Sequence, residues 1–304
     1  MIDTGSPLRM LCFTAAEIIE RQRSMYALVT GASAGIGKEI ARYLAELGYD
    51  LILTARTEEK LQKVRHALLK RYPERSILLI PADLSKREEC FRLHRESCEQ
   101  AGRENIGFVA NNAGMGVYGL FLETDLEKEL QLIDLNVTSV HILSKLFLRD
   151  MKANGHGVLM NVGSCAGFMS GPTFSSYYAS KNYVVRLTEA IHEELRREKS
   201  PVRVSCFCPG PVATDFNRNS GVSVSGKQIR PSQAAREGVN GALRGKMIVI
   251  PGLKMPFVVK ASGLIGEHLS TRVNYMLQVK KAGRHQSAGN RKSLYQHRTS
   301  GGKI

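Results

Sequence analysis

Short apolar runs alternate along the chain with longer segments in which apolar residues recur every three or four positions. The run Tyr26–Val29 predicts a strand, and Ile36, Ile40 and Leu44 after it share one face of a helix. Further strands are predicted at 51–53, 77–80, 108–110, 158–162, 202–207 and 247–250. This alternation predicts an α/β doubly wound fold, a mostly seven-stranded parallel sheet with helices on both faces.

Capping patterns predict where two of the helices begin. Ser85 and Glu88 have the spacing of a capping box, in which a hydroxyl and a carboxylate satisfy the first backbone N–H groups of a helix. Thr124 and Glu127 have the same spacing. The helix that follows Thr124 is predicted to run without interruption to about Met151.

The simplest organisation is one domain from Met25 to Glu267. No linker rich in Pro, Gly or Ser interrupts the alternation, and no internal repeat is apparent in the sequence. Residues 1–24 are predicted to be an N-terminal extension, with a true translation start at Met25 as an alternative. Residues 268–304 are predicted to be a basic and partly disordered C-terminal tail.

The formal net charge of the chain is +15. Eight Lys and Arg residues and no acid lie within 268–304, so over half of the excess positive charge belongs to this segment. Such a tail is compatible with contacts to RNA or anionic lipid. A solvated chain end is the preferred interpretation, and no nucleic-acid partner is expected.

The cysteine pattern and the hydropathy exclude other classes of protein. None of the six cysteines forms a CxxC pair and no secretory signal is recognisable, which predicts a reduced, cytoplasmic protein without a metal site. Uninterrupted apolar stretches such as Ile77–Ile80 and Phe257–Val259 are far shorter than a bilayer span. We therefore predict no transmembrane segment.

A glycine-rich turn, Thr30–Gly37, lies between the first predicted strand and the first predicted helix. Gly31, Gly35 and Gly37 permit a tight turn, close approach of a pyrophosphate, and close packing of the helix on the strand. The N-terminus of that helix offers unpaired N–H groups to phosphate oxygens. The turn therefore predicts a dinucleotide site.

Further motifs follow this turn in order. They are the NNAG run Asn111–Gly114, Asn136, Ser164, Tyr177 with Lys181 four residues later, and Pro209–Gly210 with Val212 and Thr214. With the GxxxGxG spacing of the turn, the series resembles the short-chain dehydrogenase/reductase family, and in particular its NADP-preferring, carbonyl-reductase-like branch. The resemblance covers about 25–250 and implies a Rossmann fold that binds a nicotinamide dinucleotide.

The resemblance implies that Ser164, Tyr177 and Lys181 are catalytic, and that Asn136 supports them through a bound water. Residues four apart share a helical face, so Tyr177 and Lys181 can act on one ligand. The neighbouring ammonium is expected to lower the pKa of the phenol toward the working range. Tyr178 also neighbours the lysine, but the family register selects Tyr177. Taken singly, each residue is better explained by packing, a surface position or capping; only the combination with the glycine turn favours catalysis.

The predicted cofactor contacts lie mainly in loops that follow the strands. They are Gly31, Ser33, Gly35, Ile36, Gly37, Arg56, Asp83, Leu84, Asn112, Tyr177, Lys181, Pro209, Gly210, Val212 and Thr214. An NAD site usually has an acid near the end of the second strand, and here none follows Asp50 until Glu58. Arg56 and Ser33 instead suit the 2′-phosphate of NADP(H), the predicted cofactor. Arg56 as a surface residue and Asp83 as a turn acid are the alternatives.

The sequence thus predicts an NADP(H)-dependent oxidoreductase that transfers a hydride between the nicotinamide and a carbonyl or secondary alcohol. Candidates for lining an apolar pocket are Met115, Val117, Phe168 and Met169. The polar stretch Asp215–Arg230 is expected to form a mobile lid, and the small-molecule substrate to be lipophilic. The alternatives are a 3-oxoacyl thioester reductase of lipid metabolism and a non-catalytic NADP-binding regulator with a polyanion-binding tail. The resemblance also implies a homo-oligomer.

Overall fold

The structure is a computed structural model that describes residues 25–216, 220, 228–252, 255–257, 259, 266 and 268–276. Within these residues, seven parallel strands form one sheet in the order β3-β2-β1-β4-β5-β6-β7. The strands are β1 (Tyr26–Thr30), β2 (Asp50–Thr54), β3 (Ile77–Leu79), β4 (Ile106–Asn111), β5 (Val158–Val162), β6 (Arg203–Phe207) and β7 (Ile248–Val249). The strand order and the parallel pairing confirm the predicted doubly wound fold.

Helices connect successive strands and cover both faces of the sheet. They are α1 (Gly35–Glu46), α2 (Glu58–Arg71), α3 (Arg87–Ala101), α4 (Leu126–Ile133), α5 (Ser139–Asn154), α6 (Ser175–Arg197) and α7 (Pro231–Leu243). On one face Val29 packs in a core cluster with residues of α1, and on the other Leu28 packs in a cluster with Phe147 of α5. Because both faces are buried, the strands are apolar at nearly every position.

The carboxyl ends of β1 and β4 are joined by side-chain hydrogen bonds. The Thr30 hydroxyl donates to the Ala110 carbonyl oxygen at 3.3 Å and accepts from the backbone N–H groups of Asn112 and Ala113 at 2.8 and 2.9 Å. These contacts lie at the point where the strand order reverses, because β1 has β2 on one side and β4 on the other. Ligands of doubly wound folds bind at such a point.

Both predicted capping boxes are wrong. The Ser85 hydroxyl donates to Asp83 at 2.8 Å instead of capping a helix, and α3 begins two residues later. Asp125, not Thr124, caps α4, because its carboxylate accepts from the Lys128 N–H at 3.0 Å. A carboxylate takes the capping role only at α4; the N-cap residue of α3 is Lys86, which makes no side-chain cap bond.

The helix predicted to run to about Met151 is interrupted. A π-helical turn, Asp134–Thr138, separates α4 from α5, and Asn136 lies within it. One extra residue per turn re-aims the side chains that follow, and such turns are frequent at functional sites. Hydrophobic periodicity does not report a single inserted residue, so the sequence pattern missed this turn.

Several predictions concern residues outside the described part of the chain. The extension 1–24, most of the proposed lid Asp215–Arg230, and residues 277–304 belong to this group. Residues 268–276, at the start of the predicted tail, are helical. Among the described helices, none combines the length and apolar composition needed to cross a bilayer.

Candidate active site

A pocket of about 460 Å³ opens at the carboxyl edge of the sheet, above β1, β4, β5 and β6. Twelve of the predicted site residues line it: Gly31, Gly35, Ile36, Gly37, Asn112, Ser164, Tyr177, Lys181, Pro209, Gly210, Val212 and Thr214. The fold therefore brings the glycine turn, the NNAG run, the strand-end serine and the Tyr–Lys pair to one cavity. Asn136, Ser33, Arg56, Asp83 and Leu84 lie outside its lining.

The glycine turn is packed too closely for side chains. Gly31 and Gly35 have φ values of +67° and +55°, a region that favours glycine. A Cβ on Gly37 would collide with the Gly31 carbonyl oxygen and the Asn112 amide nitrogen. That amide donates to the Thr30 carbonyl oxygen at 2.8 Å, so Asn112 braces the turn from below.

The N-terminus of α1 opens directly from this turn. Ala34, the residue before the helix, has no side chain that can cap it, and the first turn of α1 contains no acid. The first backbone N–H groups of the helix, with their partial positive charge, are thus available to an anion. A carboxylate in this turn would compete with a phosphate, and none is present.

Ser164 follows β5 in extended backbone, with φ −170°. Its hydroxyl oxygen accepts from the Ala166 N–H at 3.1 Å and so caps the 3₁₀ turn Cys165–Phe168. The same hydroxyl contacts the side chain of Tyr177. Ser164 therefore serves as a local cap while its hydroxyl faces the pocket beside the phenol.

The Tyr177 ring lies between two aromatic neighbours. Its centroid is 4.4 Å from that of Phe174, nearly parallel at 19°, and 5.5 Å from that of Phe216. Burial of the phenol raises its pKa to about 12, although the contact with Ser164 acts in the opposite direction. At neutral pH Tyr177 is therefore protonated.

Lys181 lies one helical turn beyond Tyr177 on α6 and is only 5% exposed. Its Nζ donates to the Val162 carbonyl oxygen at 2.9 Å and lies 5.8 Å from the centre of the Tyr177 ring. Burial lowers the pKa of the amine to about 8, because the protein interior penalises the charged form. An ammonium has three N–H donors, and the Val162 contact uses one of them.

The expected lowering of the Tyr177 pKa by Lys181 is not found. Desolvation is the largest effect on the phenol, and it raises the pKa. The Lys181 amine, which donates to the Val162 carbonyl oxygen, is not among the main effects on the phenol. Sequence spacing identified the two groups correctly as neighbours but could not rank burial against charge.

Asn136 is fully buried behind the pocket. Its side-chain oxygen accepts from the Met115 N–H and its amide donates to the Met115 carbonyl oxygen, both at 2.9 Å. The amide also donates at 3.0 Å to the hydroxyl of Ser180, which in turn donates at 2.7 Å to the Tyr177 carbonyl oxygen. Asn136 thus connects the loop after β4 to the helix that carries Tyr177 and Lys181. The sequence did not predict the part that Ser180 takes in this series of hydrogen bonds.

The apolar lining differs from the prediction. Of the four candidates only Met169 lines the pocket, while Phe168 packs against the core. Phe174, Phe216 and Met255, which the sequence did not predict, are apolar residues of the lining. Phe174 lies three residues before Tyr177, so helical spacing was a signal that could have identified it.

Arg56, Ser33 and Asp83 lie in neighbouring loops after β2, β1 and β3. The Ala32 N–H donates to the Thr54 carbonyl oxygen, and the Ala82 N–H donates to the Ala55 carbonyl oxygen, both at 3.1 Å. These bonds hold the three loops side by side. Arg56 is exposed, and the Asp83 carboxylate accepts from Ser85.

Leu84 follows in the same loop, but its side chain is buried in the core at 4% exposure. A ligand contact at this position is therefore left to the backbone.

Comparisons with known proteins agree with this geometry. Dehydrogenase/reductase SDR family member 7 of Mus musculus is 33% identical over 208 residues, which are 68% of this chain and 61% of that protein. Very-long-chain 3-oxoacyl-CoA reductase of Anas platyrhynchos is 32% identical over 199 residues, or 64% of this chain and 62% of that protein. The chain thus spans about three fifths of the length of these relatives.

Two solved structures share the architecture. A short-chain dehydrogenase from Sphingobium yanoikuyae in complex with NADPH superposes with a TM-score of 0.71 at 25% identity, covering 90% of this chain and 99% of that one. A short-chain dehydrogenase/reductase from Burkholderia phymatum in complex with NAD gives 0.70 at 23% identity, with 78% and 92% covered. The profile of the short chain dehydrogenase family matches residues 25–223. This chain therefore belongs to the short-chain dehydrogenase family.

Proposed function

We propose that the protein is an NADP(H)-dependent oxidoreductase that interconverts a lipophilic carbonyl compound and the corresponding secondary alcohol. The observation that supports it best is the convergence of Ser164, Tyr177 and Lys181 in one pocket with the glycine turn. A hydroxyl, a protonated phenol and a buried amine around an apolar cavity are the groups that carbonyl reduction requires.

The glycine turn and the N-terminus of α1 would hold the pyrophosphate of the dinucleotide. The exclusion of a Cβ at Gly37 and the absence of acid in the first turn of α1 both fit this role. Lys181 would use its remaining N–H donors on the nicotinamide ribose hydroxyls. When bound, the dinucleotide supplies or accepts the hydride.

In the direction of reduction, the Ser164 hydroxyl donates a hydrogen bond to the substrate oxygen and fixes the carbonyl in the pocket. Tyr177 donates its proton to the same oxygen, and its raised pKa keeps that proton in place at neutral pH. Loss of the proton leaves a phenolate, which the nearby Lys181 ammonium stabilises. Asn136 and Ser180 position the start of α6 and so hold the phenol toward the substrate.

The substrate class follows from the lining of the pocket. Phe174, Phe216, Met169 and Met255 line the pocket together with Tyr177, and this apolar lining favours a lipophilic substrate. A 3-oxoacyl thioester is the second candidate, because a relative bears the name very-long-chain 3-oxoacyl-CoA reductase. A non-catalytic role is less well supported, since the hydroxyl, phenol and amine are all present.

The preference for NADP(H) rests on Arg56 and Ser33. A guanidinium and a hydroxyl in adjacent loops suit a 2′-phosphate, whereas a ribose with two free hydroxyls would favour an acid. Solved structures with NADPH and with NAD both share this fold, so the fold does not distinguish the two cofactors. The proposal therefore depends on Arg56 and Ser33. The cytoplasmic location and the homo-oligomer stay predictions.

The test is a panel of lipophilic ketones, aldehydes and 3-oxoacyl thioesters, assayed by the loss of NADPH absorbance with the purified full chain. We expect turnover with at least one lipophilic class and little with small polar ketones. Tight NADPH binding without turnover of any of these compounds would contradict the proposal and favour a non-catalytic NADP-binding regulator.

A further inference from the structure

Three side chains with metal-ligating atoms meet between α3 and α5. His94 and Cys98 are four residues apart on α3 and therefore share one face of that helix, and Asp150 faces them from α5. Their ligand atoms all lie within 4.8 Å of one another. The cluster is near the C-terminal ends of both helices, which return to the amino edge of the sheet. It is thus at the opposite edge from the catalytic pocket.

The distances approach those of a tetrahedral metal site. The Cys98 Sγ lies 3.7 Å from the His94 Nε2 and 3.7 Å from the Asp150 Oδ2. A tetrahedral Zn²⁺ with ordinary bond lengths separates sulfur from nitrogen or oxygen by about 3.5 Å. The His94 Nε2 and the Asp150 Oδ2 are hydrogen-bonded at 2.6 Å and would have to separate by less than about 1 Å.

The surroundings orient two of these ligands. Arg103 donates to the other carboxylate oxygen of Asp150, Oδ1, at 2.7 Å and so leaves Oδ2 directed at the cluster. The His94 ring packs edge-on against Phe147 with centroids 4.9 Å apart. A hydrogen bond to the second polar atom of a ligand, as Arg103 makes to Asp150, is typical of zinc sites. Both His94 and Asp150 keep slightly over a tenth of their side chains exposed, enough for an ion to enter.

We propose that His94, Cys98 and Asp150 form a zinc site that links α3 to α5, with water as the fourth ligand. Nitrogen, sulfur and oxygen donors in one set favour Zn²⁺ over Mg²⁺ or Ca²⁺, which prefer oxygen alone. Binding replaces the thiol proton of Cys98, which passes to solvent. The thiolate and the carboxylate balance the charge of the ion. Such a site stabilises the fold by joining two helices that only side chains connect.

The test uses the full chain without an affinity tag, stripped with a chelator and titrated with Co²⁺ as a spectroscopic substitute for Zn²⁺. We expect about one equivalent of Co²⁺ to bind with a thiolate charge-transfer band and the visible bands of tetrahedral cobalt. Added Zn²⁺ should remove these bands and raise the midpoint of thermal unfolding. Absence of the bands at saturating Co²⁺ would overturn the proposal.

Matched variants separate this site from other thiols. Cys98→Ser should abolish the charge-transfer band, and His94→Gln should weaken Co²⁺ binding at least about tenfold. Cys90→Ser, on the same helix, and Cys12→Ser should keep the band. Persistence of the band in Cys98→Ser, or its loss in Cys12→Ser, would contradict the assignment. Circular dichroism identifies a variant that has not folded, and the two ligand variants are independent tests.

Discussion

Two groups of residues at the carboxyl edge of the sheet are built in different ways. The residues proposed to be catalytic, Ser164, Tyr177 and Lys181, are here called the catalytic cluster. Within it the Tyr177 ring packs against Phe174 and Phe216, and Lys181 donates to the Val162 carbonyl oxygen. Ser33 and Arg56, proposed to contact the 2′-phosphate and here called the phosphate cluster, lie on outer loops that backbone hydrogen bonds hold together, and Arg56 is exposed.

The difference indicates which properties depend on the packing of the whole fold and which depend on a single exposed side chain. Burial shifts the pKa values of Tyr177 and Lys181, so these properties belong to the fold as a whole. Arg56 contributes a charge from the surface, and exchanging it disturbs little else. We therefore expect large effects at the catalytic cluster and smaller, cofactor-specific effects at the phosphate cluster.

Tyr177→Phe should have the largest effect. It removes the proposed proton donor and keeps the ring that packs on Phe174. General acid catalysis contributes about a hundredfold to ten-thousandfold, so kcat should fall by about a thousandfold. The affinity for NADPH, measured by fluorescence, should stay within a few-fold. Tyr178→Phe is the matched control and should retain most of the activity; the reverse pattern would reassign the acid.

Lys181→Met should change the pH dependence of stability. The pKa of Lys181 is lowered to about 8 in the folded protein from 10.5, so between these values the unfolded chain binds more protons. The free energy of unfolding gained from this position therefore rises with pH, by about 3 kcal/mol over the window. Below about pH 8 the amine is charged in both states and the slope vanishes.

The measurement is urea unfolding of wild type and Lys181→Met from neutral pH to pH values near 10. The difference between the two curves isolates Lys181 from the thiols that titrate in the same range. The advantage of Met should shrink as pH rises. If the difference in unfolding free energy between the two proteins stayed constant with pH, the pKa of Lys181 would not be lowered in the folded protein.

Arg56→Asp should weaken NADPH binding and leave NADH binding unchanged or tighter. Losing a charge-assisted contact to phosphate costs about 1.5–3 kcal/mol, which corresponds to about tenfold to more than a hundredfold in Kd. Lys60→Asp, an exposed charge reversal four residues further on, should change neither affinity appreciably. Equal NADPH affinity in wild type and Arg56→Asp would refute the phosphate contact.

Ser33→Ala should have the smallest effect. A neutral hydroxyl contact is worth about 1 kcal/mol, so the Kd for NADPH should rise a few-fold while that for NADH is unaffected. Calorimetry with both cofactors checks this directly. An equal loss for NADPH and NADH would mean that Ser33 shapes the turn and does not contact the phosphate.

The strands and the order of motifs were predictable because they depend on local patterns. Apolar runs identified the strands, and the spacing from Gly31 to Gly37 located the turn that has no room for a Cβ. The capping boxes failed because the Ser85 hydroxyl donates to Asp83 and because Asp125 caps α4 in place of Thr124. A capping motif records which residues can bond, and the fold decides which of them do.

What the sequence could not give depends on distant packing. The raised pKa of Tyr177 arises from burial of the phenol in the folded protein, and adjacency to Lys181 did not reveal it. The π-helical turn around Asn136 adds one residue to the helix, and a hydrophobic pattern read over several turns does not detect a single added residue. The meeting of Asp150 with His94 and Cys98 joins two helices far apart in the chain.

The most direct test of the central claim is transfer of deuterium from NADPH labelled at C4 of the nicotinamide. With an accepted lipophilic ketone, the full chain should place deuterium on the carbinol carbon of the product, and Tyr177→Phe should slow this transfer by about a thousandfold. Bound NADPH that keeps its label in the presence of substrate, or transfer at an equal rate in Tyr177→Phe, would contradict the account.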